Sequence, residues 1–297
     1  MLLCVGGARW LEYYIGCVDS NQSFLPPSLA VRLAAPRALR AERGPGRAAS
    51  LCPADRHTRT AAMAGSHALQ GERSYMEDRV VTCTVEGGLF AGVFDGHSGD
   101  AAAEFCAKSL LGAATPLFGE GQYEQALSAA FSATNEAFLV GPTADDSGCT
   151  ACCVLLVNGQ LYVANCGDSR AVLLGADAAP LQLSVDHKPD DGQECERVEA
   201  AGGSVFDAED GNGARVVGPK VENGDYLMLG VARSIGDRPF KATSPPLVPA
   251  TPDVSRHDVS ALGAKFVIVA SDGVLVWPNA PSCQWQSPPP TPHPSSW

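Results

Sequence analysis

The sequence predicts an α+β domain in which helices cover antiparallel sheet, and three observations carry that prediction. Strand-like runs come in pairs joined by tight turns. Arg79–Val85 and Leu89–Phe94 flank Glu86-Gly87-Gly88, and Thr150–Val157 and Gln160–Asn165 flank Asn158-Gly159, the strongest short hairpin signal. Two helical stretches, Ala101–Leu111 and Gln122–Leu139, lie between those pairs instead of alternating with single strands, which argues against a parallel βαβ sheet. The 297-residue chain is 45% hydrophobic and 18% charged, enough apolar material for a sizeable core.

Residues 1–65 show no clear period. Pro26-Pro27, Pro36 and Gly44-Pro45-Gly46 interrupt any helix, and Arg9 with Glu12 cuts the first apolar stretch, which argues against a secretory signal. The Arg-rich, acid-poor run Val31–Thr60 has some transit-peptide character. Residues 1–65 are therefore expected to be a disordered or targeting extension, or sequence upstream of a start at Met63. Within Gln122–Leu139, Leu127, Phe131 and Phe138 fall near one face, with Ala130 and Ala137 beside them. Arg170–Leu174 and Leu181–Val185 read as further strands, and Asp191–Ala201 as a short helix ended by Gly202-Gly203. Arg215–Val217, Tyr226–Val231 and Phe266–Ala270 complete the strands. Residues 66–276 thus read as the folded domain, and the Pro/Ser-rich residues 277–297 as a disordered tail.

Charge is unevenly spread. Lys and Arg number 21 against 33 Asp and Glu, a net charge of -12. Residues 1–65 hold eight Arg against four acids, +4, so the remainder carries -16. So acidic a domain excludes general phosphate-backbone binding, and no apolar run approaches a membrane span, so neither nucleic acid nor membrane is expected as a partner. The 11 Cys, an odd and scattered set, read as reduced thiols; Cys149 and Cys152 form a C-x-x-C, but inside an apolar strand they read as core residues.

Carboxylates recur where strands begin and end. Glu77-Asp78 leads into Arg79–Val85, Asp95-Gly96-His97 follows Leu89–Phe94, and Asp272-Gly273 follows Phe266–Ala270 and Ser271. If the first two strands form a hairpin, Glu77-Asp78 and Asp95 lie at the same end of it. Such a cluster does not stay ionised without cations, and oxygen-only ligands suit Mg²⁺ or Mn²⁺. Gly96 leaves its carbonyl free to approach a metal, His97 could protonate a leaving oxygen, and the Arg73 guanidinium is shaped for phosphate. Each element alone is weak: Asp-Gly is an ordinary turn dipeptide, and a lone Arg or His is usually structural.

The ordered motifs carry a resemblance. Gly71-Glu72-Arg73-Ser74-Tyr75-Met76-Glu77-Asp78, Val93-Phe94-Asp95-Gly96-His97-Ser98-Gly99, Ala164-Asn165-Cys166-Gly167-Asp168-Ser169-Arg170, Ser184-Val185-Asp186-His187-Lys188-Pro189, Leu229–Asp237 and Val269-Ala270-Ser271-Asp272-Gly273 resemble the PPM-type (type 2C) metal-dependent protein serine/threonine phosphatases. The resemblance covers about residues 66–276. It implies a central antiparallel β-sandwich flanked by helices. It also implies hydrolysis of protein phosphoserine and phosphothreonine, by water activated at two Mn²⁺ or Mg²⁺ ions. Carried over, Arg73 would bind phosphate and His97 would be the general acid. Glu77, Asp78, Asp95, Asp272 and the Gly96 carbonyl would hold the metals, and Asp168 would serve a third, weaker position.

The end of the chain departs from that pattern. Asp272-Gly273 runs into Val274-Leu275-Val276-Trp277-Pro278 and no acid follows, so the family's closing metal-binding Asp, last helices and last strand are expected to be missing and the domain C-terminally truncated. A lost strand should bare an apolar edge prone to aggregation in an otherwise monomeric protein. Two functions follow: a protein phosphatase acting on phosphoprotein substrates, or a catalytically impaired module that binds phosphoproteins without turnover. Residence is expected to be cytoplasmic or nuclear, or in an organelle if residues 1–65 are a transit segment. The proline-rich stretch Lys241–Thr251 reads as either a surface loop or an edge of the substrate site.

Overall fold

The computed structural model describes residues 2–6, 62–71, 73–142, 145–175, 179–208 and 213–275. The Arg-rich run Val31–Thr60 and the tail 277–297 lie outside them.

One five-stranded sheet is antiparallel throughout, in the order β15 (Asp253–Asp258), β8 (Gln160–Cys166), β7 (Ala151–Val157), β4 (Gly88–Phe94), β3 (Arg79–Val85). Its two hairpins are those expected: Val85 pairs with Gly88 across Glu86-Gly87, and Val157 with Gln160 across Asn158-Gly159. Asn158 and Gly159 both take positive φ, 51° and 77°, the left-handed pair that matches a two-residue turn to the twist of its strands.

The second sheet runs β10 (Leu181–Gln182), β9 (Arg170–Gly175), β16 (Ala264–Ala270), β1 (Leu2–Gly6), β2 (Gly65–Leu69). The expected strand 181–185 is shorter: Leu183 N–H still donates to the Ala171 carbonyl at 2.8 Å, but Ala171 N–H is taken by the Ser184 hydroxyl instead of a backbone carbonyl. β1 pairs parallel with both β16 and β2, so residues 2–6, expected to lie in a disordered extension, form an inner strand.

The sheets face each other across a core of Leu89, Ala91, Val93, Val154, Leu161 and Val163 against Leu173, Val267 and Val269. The other face of β4, β7 and β8 buries Phe90, Phe94, Leu155 and Tyr162 beneath α1 (Ala101–Ala114) and α2 (Tyr123–Val140). Two buried faces explain why Ala151–Val157 is apolar without alternation. On α2 the buried residues include Leu127, Ala130, Phe131 and Phe138, as expected, but Thr134 lies with them and Ala137 is exposed.

A smaller antiparallel sheet of β11 (Ser204–Ala208), β12 (Gly213–Lys220) and β13 (Tyr226–Leu229) follows α3 (Gly192–Ala200). Its core takes in Val198, Val216, Leu229, Phe240, Leu247 and Val248. Residues 241–251 therefore pack partly inside rather than forming a surface loop. Three short strands, β5 (Gly96–His97), β6 (Gly148–Cys149) and β14 (Ile235–Gly236), pair as β14-β6-β5. Beyond Ser271 the chain turns into a short helix, α4 (Asp272–Leu275), despite the prolines downstream. Among the described residues no helix is long and apolar enough to cross a membrane.

Candidate active site

Antiparallel pairing gathers the acids at one end of the sandwich. Arg79 pairs with Phe94, so Asp78, just before β3, lies opposite Asp95, just after β4. In the facing sheet Ala270 pairs with Arg170, so Asp272, just after β16, comes beside Asp168, just before β9. The two halves touch: the Ser271 hydroxyl donates to Asp78 Oδ2 at 3.1 Å.

Burial and like charge act together here. The Asp95 carboxyl is pushed up to about 8, first by burial and then by repulsion from Asp78, Asp272 and Asp168. Burial also raises Asp78, although hydrogen bonds from Ser271 and with Asp95, and the charge of Arg73, pull the other way. Asp272 rises through burial and the charge of Asp168, against the opposing charges of Lys188 and Arg73. Arg73 is exposed at the rim, close enough for its charge to reach Asp78 and Asp272.

Asp95 is held by its backbone. Thr150 N–H donates to its carbonyl at 2.9 Å, its own N–H donates to Thr150 Oγ1 at 3.3 Å, and Thr150 Oγ1 lies 2.7 Å from Ser169 Oγ, next to Asp168. Gly96 is needed where it is: a Cβ there would come within 2.5 Å of the Glu77 carbonyl oxygen. Glu77 accepts from Gly99 N–H at 2.6 Å, so in this structure its carboxylate caps a loop and contributes a charge felt by His97. His97 Nε2 lies 2.9 Å from both carboxylate oxygens of Asp237. Burial works against charge on His97, but the Asp237 hydrogen bond and the charges of Asp237, Asp168 and Glu77 outweigh it and raise its pKa.

Asp168 is buried and its carboxylate is engaged by Lys188 Nζ, which also stands 3.9 Å from Asp272. Around this pair runs a network that sequence reasoning did not single out. Gly167 N–H donates to His187 Nδ1 at 3.0 Å, and His187 Nε2 faces Asp253 at 3.2 Å. Arg233 bridges Asp253 at 2.8 Å and Glu194 at 2.5 Å. The hydrogen bond from His187, with Arg233 beside it, holds the Asp253 carboxyl down at about 2. Lys188, Asp237, His187 and Arg233 stand inside recognised motifs, but nothing in one sequence says which of those positions touch.

An implied divalent cation can be tested against these groups. The donors are all oxygen, which suits Mg²⁺ or Mn²⁺, and part of what pushes the Asp95 carboxyl up, after burial, is the charge of neighbouring carboxylates that a cation would offset. Among the described residues no three His, Cys, Asp or Glu side chains stand around a common point at metal-holding distance, so the fit rests on donor chemistry and charge.

Cys149 and Cys152 are buried and free, with burial pushing both thiols up, as a core reading of the C-x-x-C requires.

The chain is similar to known proteins. The family model "Protein phosphatase 2C" matches residues 63–277. "Protein phosphatase 2C homolog 2" of Hypocrea jecorina is 39% identical over 195 residues, covering 62% of this chain and 40% of the relative. "Probable protein phosphatase 2C 11" of Arabidopsis thaliana is 34% identical over 220 residues, covering 71% and 53%. The chain thus spans 40% to 53% of the length of these two relatives. The crystal structure of serine-threonine phosphatase 2C from Toxoplasma gondii superposes with a TM-score of 0.58 at 23% identity, covering 67% of this chain and 74% of that one, which supports the fold. A match over most of the length, an α+β sandwich and acids gathered at one sheet end agree: the chain belongs to the Protein phosphatase 2C family.

Proposed function

We propose that this protein hydrolyses phosphoserine and phosphothreonine in phosphoprotein substrates, with two Mg²⁺ or Mn²⁺ ions and a weaker third. The observation that carries the reading is the convergence of Asp78, Asp95, Asp168 and Asp272, where burial and then repulsion from its neighbours drive Asp95 up to about 8. Asp78, Asp95, Asp272, Glu77 and the Gly96 carbonyl would hold the ions, and Asp168 the weaker one. When bound, such ions supply a water ready to attack phosphorus and offset charge on the phosphoryl oxygens. Arg73 binds and orients the phosphate from the rim. His97 keeps a proton for the departing serine or threonine oxygen. No nucleic acid or membrane partner is proposed, and the protein is taken to act as a monomer in the cytoplasm or nucleus, or in an organelle if residues 1–65 are a transit segment.

The test is Mn²⁺-stimulated phosphate release from a phosphoserine peptide, abolished by excess chelator and by Asp272→Ala. Equal release with chelator present would overturn the reading. A second reading, phosphoprotein binding without turnover, is favoured by Lys188, which already neutralises Asp168 and approaches Asp272. It is distinguished by peptide binding that persists while no phosphate is released.

A further inference from the structure

Asp237 is the most constrained acid near the site. It follows β14 with φ of 50°, in the left-handed region that a residue with a β-carbon enters at a cost. Two backbone bonds hold it there: its N–H donates to the Ser147 carbonyl at 2.9 Å, and Phe240 N–H donates to its own carbonyl at 2.9 Å. Its side chain is buried, at 3% exposure, so its charge needs a partner. It faces His97, whose Nε2 lies 2.9 Å from each of the two carboxylate oxygens, while the Ser234 hydroxyl donates to Oδ2 at 2.5 Å.

The opposite side of the pair is equally specific. β5 and β6 pair His97 with Gly148, and a Cβ on Gly148 would overlap both Asp237 Oδ2 and His97 Nε2. A strained non-glycine residue, a buried carboxylate and an obligatory glycine therefore converge on one imidazole nitrogen. Capping the turn Arg238–Lys241 needs none of the three, because Phe240 is bonded by the backbone carbonyl alone.

We infer that Asp237 is the positioning residue of the general acid: its carboxylate fixes Nε2–H of His97, leaving Nδ1 as the nitrogen that donates to the departing serine or threonine oxygen. This rests on the phosphatase reading. As water forms its bond to phosphorus, the bond from phosphorus to the leaving oxygen breaks with its electron pair on that oxygen. The oxygen takes the Nδ1 proton from the doubly protonated ring, which is left neutral with its other proton on Nε2 against Asp237, and the surplus proton of the attacking water passes to solvent. Solvent later returns the proton to Nδ1.

Asp237→Asn tests this. It is expected to lower kcat on a phosphoserine peptide by about 10²-fold, in the range general-acid loss produces. Its KM should stay within about twofold, since removing a group that acts only in the transition state spares ground-state binding. On p-nitrophenyl phosphate, whose leaving group needs no proton, the loss should be at least about tenfold smaller. Gly148→Ala, which intrudes on the pair from the other side, should show the same selectivity, and Asp237→Asn added to His97→Ala should lower activity no further. Equal losses on both substrates, or additive losses in the double variant, would overturn the inference. A second readout needs no turnover. In ¹⁵N-histidine NMR, with His97→Ala to assign the ring, the wild type should show a protonated Nε2 whose signal shifts in Asp237→Asn. An unchanged His97 ring in the folded variant overturns the positioning role even where no preparation releases phosphate, an outcome that by itself sinks only the phosphatase reading.

Discussion

Asp95 stands where burial and three neighbouring carboxylates act in the same direction, and that gives one residue opposite effects with and without a cation. Its folded pKa, about 8, lies far above the ordinary 3.8. Between those values the folded form keeps a proton that the unfolded chain has released, so its contribution to stability falls as pH rises from about 4 to about 8. Asp95→Asn removes that penalty. In chelator at pH 8 the variant should melt above wild type, by about 2–4 °C for each kcal/mol relieved, and the gap should close toward pH 4. With Mn²⁺ the order should reverse: wild type gains thermal stability and the variant does not. Calorimetry at both pH values, with and without Mn²⁺, checks this, and a lower melting point for the variant in chelator at pH 8 would contradict it. Asp78, Asp95 and Asp272 were legible because each sits at the end of a run whose strand character is local, so hairpin geometry alone puts two of them together. Asp237, Lys188 and His187 were not. Their roles depend on contacts such as His97 to Asp237, 140 positions apart, which no local pattern encodes.

Elements were legible in proportion to how locally they are determined. β3, β4, β7 and β8 come within a residue or two of expectation because turn residues with their own backbone preference punctuate them. β15, Asp-Val-Ser-Arg-His-Asp, was not anticipated: it is a polar edge strand with no fully buried residue, and exists because β8 offers it a full ladder from Asn165 to Gln160. On α2, Ala137 is exposed although at 100° per residue its heading lies between those of the buried Ala126 and Ala130, so the helical period alone does not decide its burial. α3 shows what holds a nine-residue helix, too short to be stable alone. Asp191 accepts from Gln193 and Glu194 N–H at 3.0 and 3.2 Å, and Glu194 then anchors Arg197 and Arg233. Asp191→Ala should cost about 1 kcal/mol in urea denaturation, the usual worth of such a cap. Because Arg233 also grips Asp253, which faces His187 beneath the Asp168 loop, the same variant should weaken the stabilisation by Mn²⁺; full retention of that shift would uncouple the helix from the site.

At the scale of the molecule the sandwich depends on a strand from the far end of the sequence. β1 lies between β2 and β16, with five residue pairs to β2 from Leu2–Gly65 to Gly6–Leu69 and three to β16 from Leu2–Ile268 to Cys4–Ala270. It is parallel to both, in a molecule whose other pairings are antiparallel among the described residues, so no hairpin turn sets its register. Its placement follows from two sheet edges that each need a partner and from a short apolar run, Leu-Leu-Cys-Val-Gly, able to serve both. Removing it would open both edges at once, and open apolar edges pair with whatever strand is available. Deletion of residues 1–6 should therefore lower the melting temperature and produce concentration-dependent self-association in sedimentation velocity. β16 leads directly to Asp272, so the stabilisation by Mn²⁺ should fall as well. A synthetic peptide of residues 1–7, added in excess, should reverse the association by refilling the gap, since strand addition draws its affinity from main-chain bonds. A deletion variant that stays monomeric with an unchanged melting temperature would mean that β2 and β16 close on their own and that β1 contributes nothing to the sheet.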